Sequence, residues 1–319
     1  LSDEILNSSQ PLVLKNFVNQ WPAVQAGKQS AQSLFSYLRQ FANDETVIAT
    51  LGDPNIQGRY FYNDEFTGFN FQPHKTPIKE YLLTLEQHLN DEAPPACYVF
   101  SSIIERSFPG FRTDNDLPIG HLNPLMSYFI GNPSLVAAHW DRPNNIACVI
   151  AGKRRFTLYP PEQLKNLYVG PMDLVPANQA ICLVDPRNPD FEKYPKFKEA
   201  LANAQVADME PGDAILIPSM WWHQVESLSK VNMLVNYWWL TQPGFLADPE
   251  DALTHAILSI KDLSAEQRKI WANIFDHYVF NHDEDTVAHI PEAQRGRLAP
   301  LNDLTARQLR RLLINKLNR

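Results

Sequence analysis

Sulfur chemistry has little material to work with in this chain: its 319 residues include three cysteines, Cys97, Cys148 and Cys182. They are widely spaced, odd in number and nowhere in a C-x-x-C arrangement, which excludes a disulfide framework and a cysteine-rich zinc site. They read as buried packing residues of a protein kept in a reducing compartment. Long apolar runs are missing too. No stretch approaches the roughly 18 consecutive apolar residues of a membrane span, and the N-terminus lacks a basic-then-apolar signal pattern. The expectation is a cytoplasmic protein without membrane contact, with Leu1 as first residue a sign of trimming. An excess of positive charge is also absent. Lys and Arg number 28 against 36 Asp and Glu, a formal net charge of −8, so there is no general attraction to nucleic acid or anionic membranes. A local basic patch is still allowed. Internal repeats and low-complexity tracts are lacking as well.

What is present centres on Ala138-His139-Trp140-Asp141 and a second histidine in Pro218-Ser-Met-Trp-Trp-His223. On a β-strand alternate side chains share a face, so His139 and Asp141 are expected to point to one side. Both motifs follow apolar runs, Leu135–Ala138 and Ala214–Ile217, where an unpaired ionised Asp would be costly. A metal would neutralise it. Two histidines and one carboxylate on one face of a metal leave the other face open, the donor set of non-haem iron(II) oxygenases. An isolated H-x-D is common by chance, and it is this setting that gives the motif weight.

Along the chain, Gln10–Val18 is an extended apolar run and Ser30–Phe41 has helical spacing of Leu34, Phe35, Leu38 and Phe41. Thr46–Thr50 and Gly58–Phe71 alternate like strands, and Thr76–Leu89 reads as a helix with Pro77 in its first turn. From Ala96 the pattern becomes short apolar runs separated by Pro, Gly and Asn: Tyr98–Ile103, Leu125–Gly131, Asn145–Ile150, Arg155–Tyr159, Ala180–Val184, Ala214–Ile217 and Asn232–Leu240. That cadence predicts an antiparallel sandwich or barrel. Ala151-Gly152 reads as a hairpin turn, and Pro186–Asn203 as an excursion covering one side of the site. Beyond Gln242 the chain turns helical: Ser264-x-x-Gln267 is a capping box, Ile270, Trp271, Ile274, Phe275 and Tyr278 form one stripe, and Leu309, Leu312, Leu313 and Leu317 a second. The expected organisation is an α/β lead-in over 1–95, a β-rich core over 96–242 and a helical extension over 243–319 that forms a homodimer.

Pro133-Ser-Leu-Val-Ala-Ala-His139-Trp-Asp141, Ala151-Gly-Lys-Arg-Arg-Phe-Thr-Leu-Tyr-Pro-Pro161 and Pro211-Gly-Asp-Ala-Ile-Leu-Ile-Pro-Ser-Met-Trp-Trp-His223 resemble the cupin-like JmjC hydroxylases, above all the asparaginyl hydroxylase that inhibits hypoxia-inducible factor. The resemblance implies a mainly β double-stranded β-helix, or jelly-roll, with helical additions. It implies that His139, Asp141 and His223 bind Fe(II), and that 2-oxoglutarate and O2 take the open positions, giving succinate and CO2 while a protein side chain is hydroxylated. By position Arg154 matches the family's lysine, Asn145 and Asn236 its amides, Tyr98 its tyrosine and Trp238 a pocket-lining residue. Arg154 is a departure, as is Val136, where the close relative has a hydroxyl. Trp221, Trp222 and Trp239 read as core. Trp140 and Arg142 are expected to point away from the metal, and His121 to be a surface histidine.

Two other readings stay open. The departures at Val136 and Arg154 suit a cupin metalloenzyme that uses another metal without 2-oxoglutarate, and hydroxylation of an RNA base or small molecule is compatible with the same motifs. A scaffolding protein that merely kept the barrel would be expected to have lost a ligand, and none is lost.

Overall fold

The structure is a computed structural model that describes residues 1–176 and 179–318. It contains two compact units, Leu1–Leu240 and Thr241–Arg319. Among the described residues no helix is long and apolar enough to cross a membrane.

The strands of the first unit, in chain order, are β1 (Leu12–Leu14), β2 (Thr46–Gly52), β3 (Arg59–Tyr60), β4 (Phe71–Pro77), β5 (Ala96–Ile103), β6 (Leu125–Gly131), β7 (Ser134–His139), β8 (Asn144–Ala151), β9 (Arg154–Tyr159), β10 (Gln205–Met209), β11 (Ala214–Ile217), β12 (Trp222–Ser227) and β13 (Asn232–Trp239). They form an eight-stranded sheet in the order β1-β11-β8-β13-β6-β5-β2-β4 and a five-stranded sheet in the order β10-β9-β12-β7-β3. All pairings are antiparallel except β3 with β7. From β6 to β9 and again from β10 to β13 consecutive strands alternate between the two sheets, which is the double-stranded β-helix expected from the cadence of short runs. Residues 1–95 supply four strands and are woven into both sheets.

Strand alternation sorts the side chains. On β8, Ile146, Cys148 and Ile150 face outward, and on β13 so do Met233, Val235, Tyr237 and Trp239. They join a core with Leu34, Phe35, Leu38, Ile78, Tyr81 and Leu82 of the N-terminal helices. The alternate residues Ala147, Val149 and Leu234 face inward onto Phe156, Leu158, Ile215 and Ile217, filling the space between the sheets. This two-period pattern is what makes a strand buried on both faces read as a continuous apolar run. All three cysteines are free and buried.

Local chemistry sets the helix starts. Ser30 caps Ala31–Arg39 by accepting from the Ser33 N–H at 3.0 Å. Pro77 ends β4 and caps Ile78–Gln87, which moves the expected start at Thr76 because a proline with extended ψ closes a strand as well as it opens a helix. Two other expectations are corrected, and one strand was not expected at all. The Gly58–Phe71 segment is two strands with an isolated Tyr62–Phe69 bridge between them. Ala180–Val184 forms no strand, only a bridge from Cys182 to Val169. β10 was not foreseen: as an edge strand with Met209 its one buried residue, it carries almost no hydrophobic pattern.

Ala151-Gly152 is a turn but not the expected hairpin, because β8 and β9 lie in different sheets and do not pair. Gly152 has a φ of +74°, and its absent Cβ would lie 2.3 Å from Asn232 Oδ1 and 2.5 Å from Val231 O. Asn232 Oδ1 is already held by the Ser229 N–H at 3.2 Å, so it cannot simply move away. Gly152→Ala is therefore expected to cost about 2 kcal/mol and to lower the melting temperature by several degrees. An unchanged thermal transition would show that the turn relaxes.

The second unit consists of the helices Pro249–Ile260, Ala265–Phe275 and Asp303–Leu317, with a π-turn at Asp276–Phe280. The expected capping box is present: Ser264 accepts from the Gln267 N–H and the Gln267 side chain accepts from the Ser264 N–H. Ile270, Trp271, Ile274 and Tyr278, and likewise Leu312, Leu313 and Leu317, are exposed.

Candidate metal centre and anion pocket

β7 and β12 lie side by side in the smaller sheet, with His139 directly opposite His223. Their rings sit 4.4 Å apart between centroids. β7 ends at His139, and Asp141 lies just beyond it, ahead of a bend at Arg142-Pro143, which corrects the expectation that both share one strand. This segment, anchored by Met220 N–H donating to Asp141 O at 2.8 Å, brings the carboxylate to the same place. One ligand atom from each of His139, Asp141 and His223 lies within 4.8 Å of the others.

Both imidazoles are oriented by the backbone. His139 Nδ1 contacts Ala137 O at 2.9 Å and His223 Nδ1 contacts Trp221 O at 3.0 Å. Donation from Nδ1–H leaves each Nε2 lone pair facing the shared point, the outer-shell arrangement that fixes a metal-binding tautomer. His223 Nε2 is 3.5 Å from Asp141 Oδ2.

Charges follow from burial and proximity. Burial, helped by the neighbouring His223, lowers the His139 pKa to about 4. Burial also disfavours the Asp141 carboxylate, but its hydrogen bond to His223 and the two imidazoles outweigh that and hold it at about 2. For His223 burial favours the neutral ring, yet Asp141 raises it above the ordinary value. The metal-free site thus takes up one proton, on His223, well before His139 or Asp141 takes another. Metal competes with that proton. Divalent-metal affinity is expected to fall about tenfold per pH unit below the raised His223 pKa, with one proton released on binding down to about pH 5. Calorimetry in buffers of different ionisation enthalpy counts the protons; a pH-independent affinity between 5 and 8 would show that these histidines are not ligands.

The triad opens into a cavity of about 620 Å³ between the sheets. Cross-strand register orders its wall on the smaller sheet: Leu158 is opposite His223, then Phe156 opposite Val225 opposite Val136, then Arg154 opposite Ser227 opposite Ser134. Arg154 lies four residues from Leu158, roughly 13 Å along the strand. It is 1% exposed, whereas Lys153 and Arg155 on either side are exposed. Arg154 Nη1 donates to Tyr98 Oη at 3.2 Å, while Nε and Nη2 have no partner among the described residues. From the larger sheet, Asn236 Nδ2 donates to Asn145 Oδ1 at 2.9 Å. Asn236 Oδ1 and Trp238 Nε1 are buried without partners. All eight residues singled out from the sequence, His139, Asp141, His223, Tyr98, Asn145, Arg154, Asn236 and Trp238, line this one cavity, as does Val136.

Other residues fall outside it. Trp222 packs with Tyr159 and Phe197, and Trp140 lies against the same cluster. Trp221 donates Nε1–H to Ser9 O at 3.0 Å, Trp239 is in the helix-covered core, and His121 is exposed. The segment Pro186–Asn203 does not cover the site: its helix Phe197–Ala202 packs against Leu167, Cys182 and Trp222 on the outer face of the smaller sheet. The mouth is instead formed by Ile48, Phe69, Phe71, Pro73 and Phe100, with Pro176 and Gln179. Sequence reading missed these because only the sheet order β5-β2-β4 carries them over the opening.

The sequence profile of the family described as "Cupin-like domain" matches residues 1–245. Among curated proteins the chain is 30% identical over 146 residues to "Lysine-specific demethylase JMJ31" of Arabidopsis thaliana, covering 43% of this chain and 26% of the relative. It is 31% identical over 157 residues to "tRNA wybutosine-synthesizing protein 5" of Gallus gallus, covering 49% and 42%. With "Lysine-specific demethylase 8" of Xenopus tropicalis it shares 22% over 245 residues, covering 74% and 49%. The chain thus spans half or less of each of these relatives. The resemblance seen in the sequence stands at the level of the family: with the jelly-roll, the His-Asp-His cluster and a profile match over about three quarters of its length, this chain belongs to the cupin-like domain family.

Proposed function

We propose that this protein is an Fe(II)- and 2-oxoglutarate-dependent oxygenase that hydroxylates a side chain of another protein, with succinate and CO2 as co-products. The observation that carries the reading is one cavity holding both a His-Asp-His cluster and a buried guanidinium with Nε and Nη2 unpartnered. A buried cation without a counter-charge is costly, and the missing partner is an anion that binds in the same space.

The residues fit both groups. His139, Asp141 and His223 would hold the iron. Arg154 and Tyr98 would take the far carboxylate of 2-oxoglutarate, where a guanidinium fork suits a planar carboxylate better than an ammonium would. When bound, iron and 2-oxoglutarate supply the oxidising equivalents that place one atom of O2 in a substrate C–H bond and the other in succinate. The chain supplies the rest. Phe156, Val225, Val136 and Leu234 exclude water from the cavity, and the Asn236–Asn145 hydrogen bond fixes two amides on the opposite wall. The apolar mouth supports a protein segment as substrate, since Ile48, Phe69, Phe71, Pro73 and Phe100 offer no cation for a phosphate backbone.

The test is an anaerobic titration of iron(II)-loaded protein with 2-oxoglutarate, followed by succinate measurement in air. A visible charge-transfer band and substrate-independent succinate formation support the reading; stoichiometric metal with neither would favour a cupin enzyme of other metal chemistry. An RNA base as target is the second reading, favoured by the aromatic mouth, where Phe69 and Phe71 stack at 5.0 Å.

The protein acts as a homodimer in this reading, joined through its C-terminal helices. The support is the apolar stripe of Ile270, Trp271 and Ile274, which is exposed in the single chain and exceeds what isolated surface residues explain. Trp271→Glu with Ile274→Glu is expected to halve the mass seen by light scattering, and a wild-type monomer would refute the dimer.

A further inference from the structure

The first unit has a second opening, at the end of the barrel away from the triad. The turns joining β8 to β9, β10 to β11 and β12 to β13 meet the helix Pro22–Gln29 there around a cleft of about 640 Å³. Asn145 in the wall of the metal cavity and Ala151 in the wall of this cleft belong to the same strand. They are six positions apart, roughly 20 Å along the strand. Where the two spaces come nearest, buried Arg154 lines the metal cavity and exposed Lys153 beside it lines the cleft, and the two linings have no residue in common.

The rim of the cleft carries Lys15, Lys28, Lys153 and Lys230 with two carboxylates, Glu210 and Asp213. Both carboxylates are already engaged. Asp213 accepts from the Asn16 N–H at 2.9 Å and the Glu210 N–H at 3.0 Å and is paired with Lys15. Glu210 is paired with Lys153 at 2.8 Å. Among the described residues the other two ammoniums meet only neutral oxygens: Lys28 donates to Asn19 Oδ1, and Lys230 donates to Leu89 O at 2.9 Å. Two uncompensated positive charges therefore face one concavity in a chain whose net charge is −8. Like charges held around a low-dielectric cleft focus a positive potential into it.

We propose that this cleft binds a polyphosphate-bearing ligand. Every cation on the rim is a lysine, a compact point charge suited to a multiply charged anion, whereas a single carboxylate is better matched by an arginine fork. Ala31 and Val231 give the floor a small apolar surface, and the volume lies within the range of small-molecule sites, about 300–1,000 Å³. An inorganic polyphosphate and a nucleoside polyphosphate share this chemistry. The site is independent of the oxygenase reading.

The test uses the full, metal-loaded chain and calorimetric titration with inorganic tripolyphosphate and, separately, ATP, at low and at physiological salt. Both are expected to bind, more weakly as salt rises. Lys28→Glu with Lys230→Glu should weaken each by about a hundredfold, roughly tenfold per reversed charge, with the melting temperature and metal affinity unchanged. ATP binding tighter than tripolyphosphate would identify a nucleotide seated against Ala31 and Val231; equal affinities would identify the phosphate chain alone. No binding of either at low salt would overturn the proposal. So would binding that survives the double substitution, or an equal loss in the control Lys165→Glu, which lies in the same unit past the opposite end of β9 and would reduce the effect to net charge.

Discussion

Arg154→Met is expected to abolish 2-oxoglutarate binding and at the same time raise the melting temperature of the ligand-free protein. The two effects share a cause. The guanidinium is buried, makes one hydrogen bond, to Tyr98, and leaves Nε and Nη2 without partners. In the ligand-free state this is an uncompensated buried charge, and an apolar side chain of similar volume in such a place stabilises proteins by about 1–4 kcal/mol. At 2–4 °C per kcal/mol for a domain of this size, the gain is several degrees. In the liganded state the same group makes charge-assisted bonds to a carboxylate. Losing them in a closed cavity costs about 3 kcal/mol or more, a hundredfold or greater rise in Kd. Differential scanning fluorimetry and the anaerobic titration measure the two signs independently. A variant that melts lower than wild type while still binding 2-oxoglutarate would show that the protein itself satisfies the guanidinium, and the anion assignment would fail.

His139→Ala is expected to weaken divalent-metal binding by a thousandfold or more. The ligand atoms of His139, Asp141 and His223 converge within 4.8 Å, and a transition metal bound by three protein groups derives about 4 kcal/mol from each. Metal that binds only the folded state stabilises it by about 2.7 kcal/mol at a hundredfold excess over Kd. Wild-type protein should therefore melt higher with Fe(II) or Mn(II) added anaerobically, and the variant should not. Circular dichroism of the variant should match wild type, because His139 is half-buried and its one hydrogen bond inside the chain, to Ala137 O, is local. An equal metal-dependent shift in the variant would locate the binding elsewhere.

The two substitutions also separate the readings of the site. Loss of 2-oxoglutarate binding in Arg154→Met with metal binding intact is the oxygenase pattern. Metal binding with no 2-oxoglutarate response even in wild type would mean that Arg154 and Val136 serve another anion on the same metal.

Part of the site was legible in the sequence because it is local. His139 and Asp141 are two residues apart, and strand alternation implies that Lys153, Arg154 and Arg155 do not all face one way, as the burial of Arg154 between two exposed neighbours bears out. That Arg154, Asn145, Asn236, Tyr98 and Trp238 belong to the site followed from the family resemblance and not from any local pattern. The strands β6, β8, β11 and β13 were legible locally, as short apolar runs bounded by turn residues. Weak or one-sided patterns were not: β10 buries one residue, and β3 and β4 are separated by a polar hairpin inside a stretch that alternates throughout.

Other features belong to no segment of sequence. The opposition of His139 and His223 across two strands, 84 residues apart, is a matter of register. The placing of Asp141 depends on the segment after the strand, where parity gives no guidance. The mouth of the cavity depends on β2 and β4 extending the larger sheet beyond β5, and the excursion over Pro186–Asn203 turned to the outer face, where its Phe197 finds Tyr159 and Trp222. The sequence by itself determined the donor types and a barrel or sandwich of short strands, because those follow from local pattern and the chemistry of single residues. Only the tertiary structure decided which side chains share a cavity, what forms its mouth and that four lysines meet at the other end of the barrel, because pairing order and register are set by the packing of the whole chain.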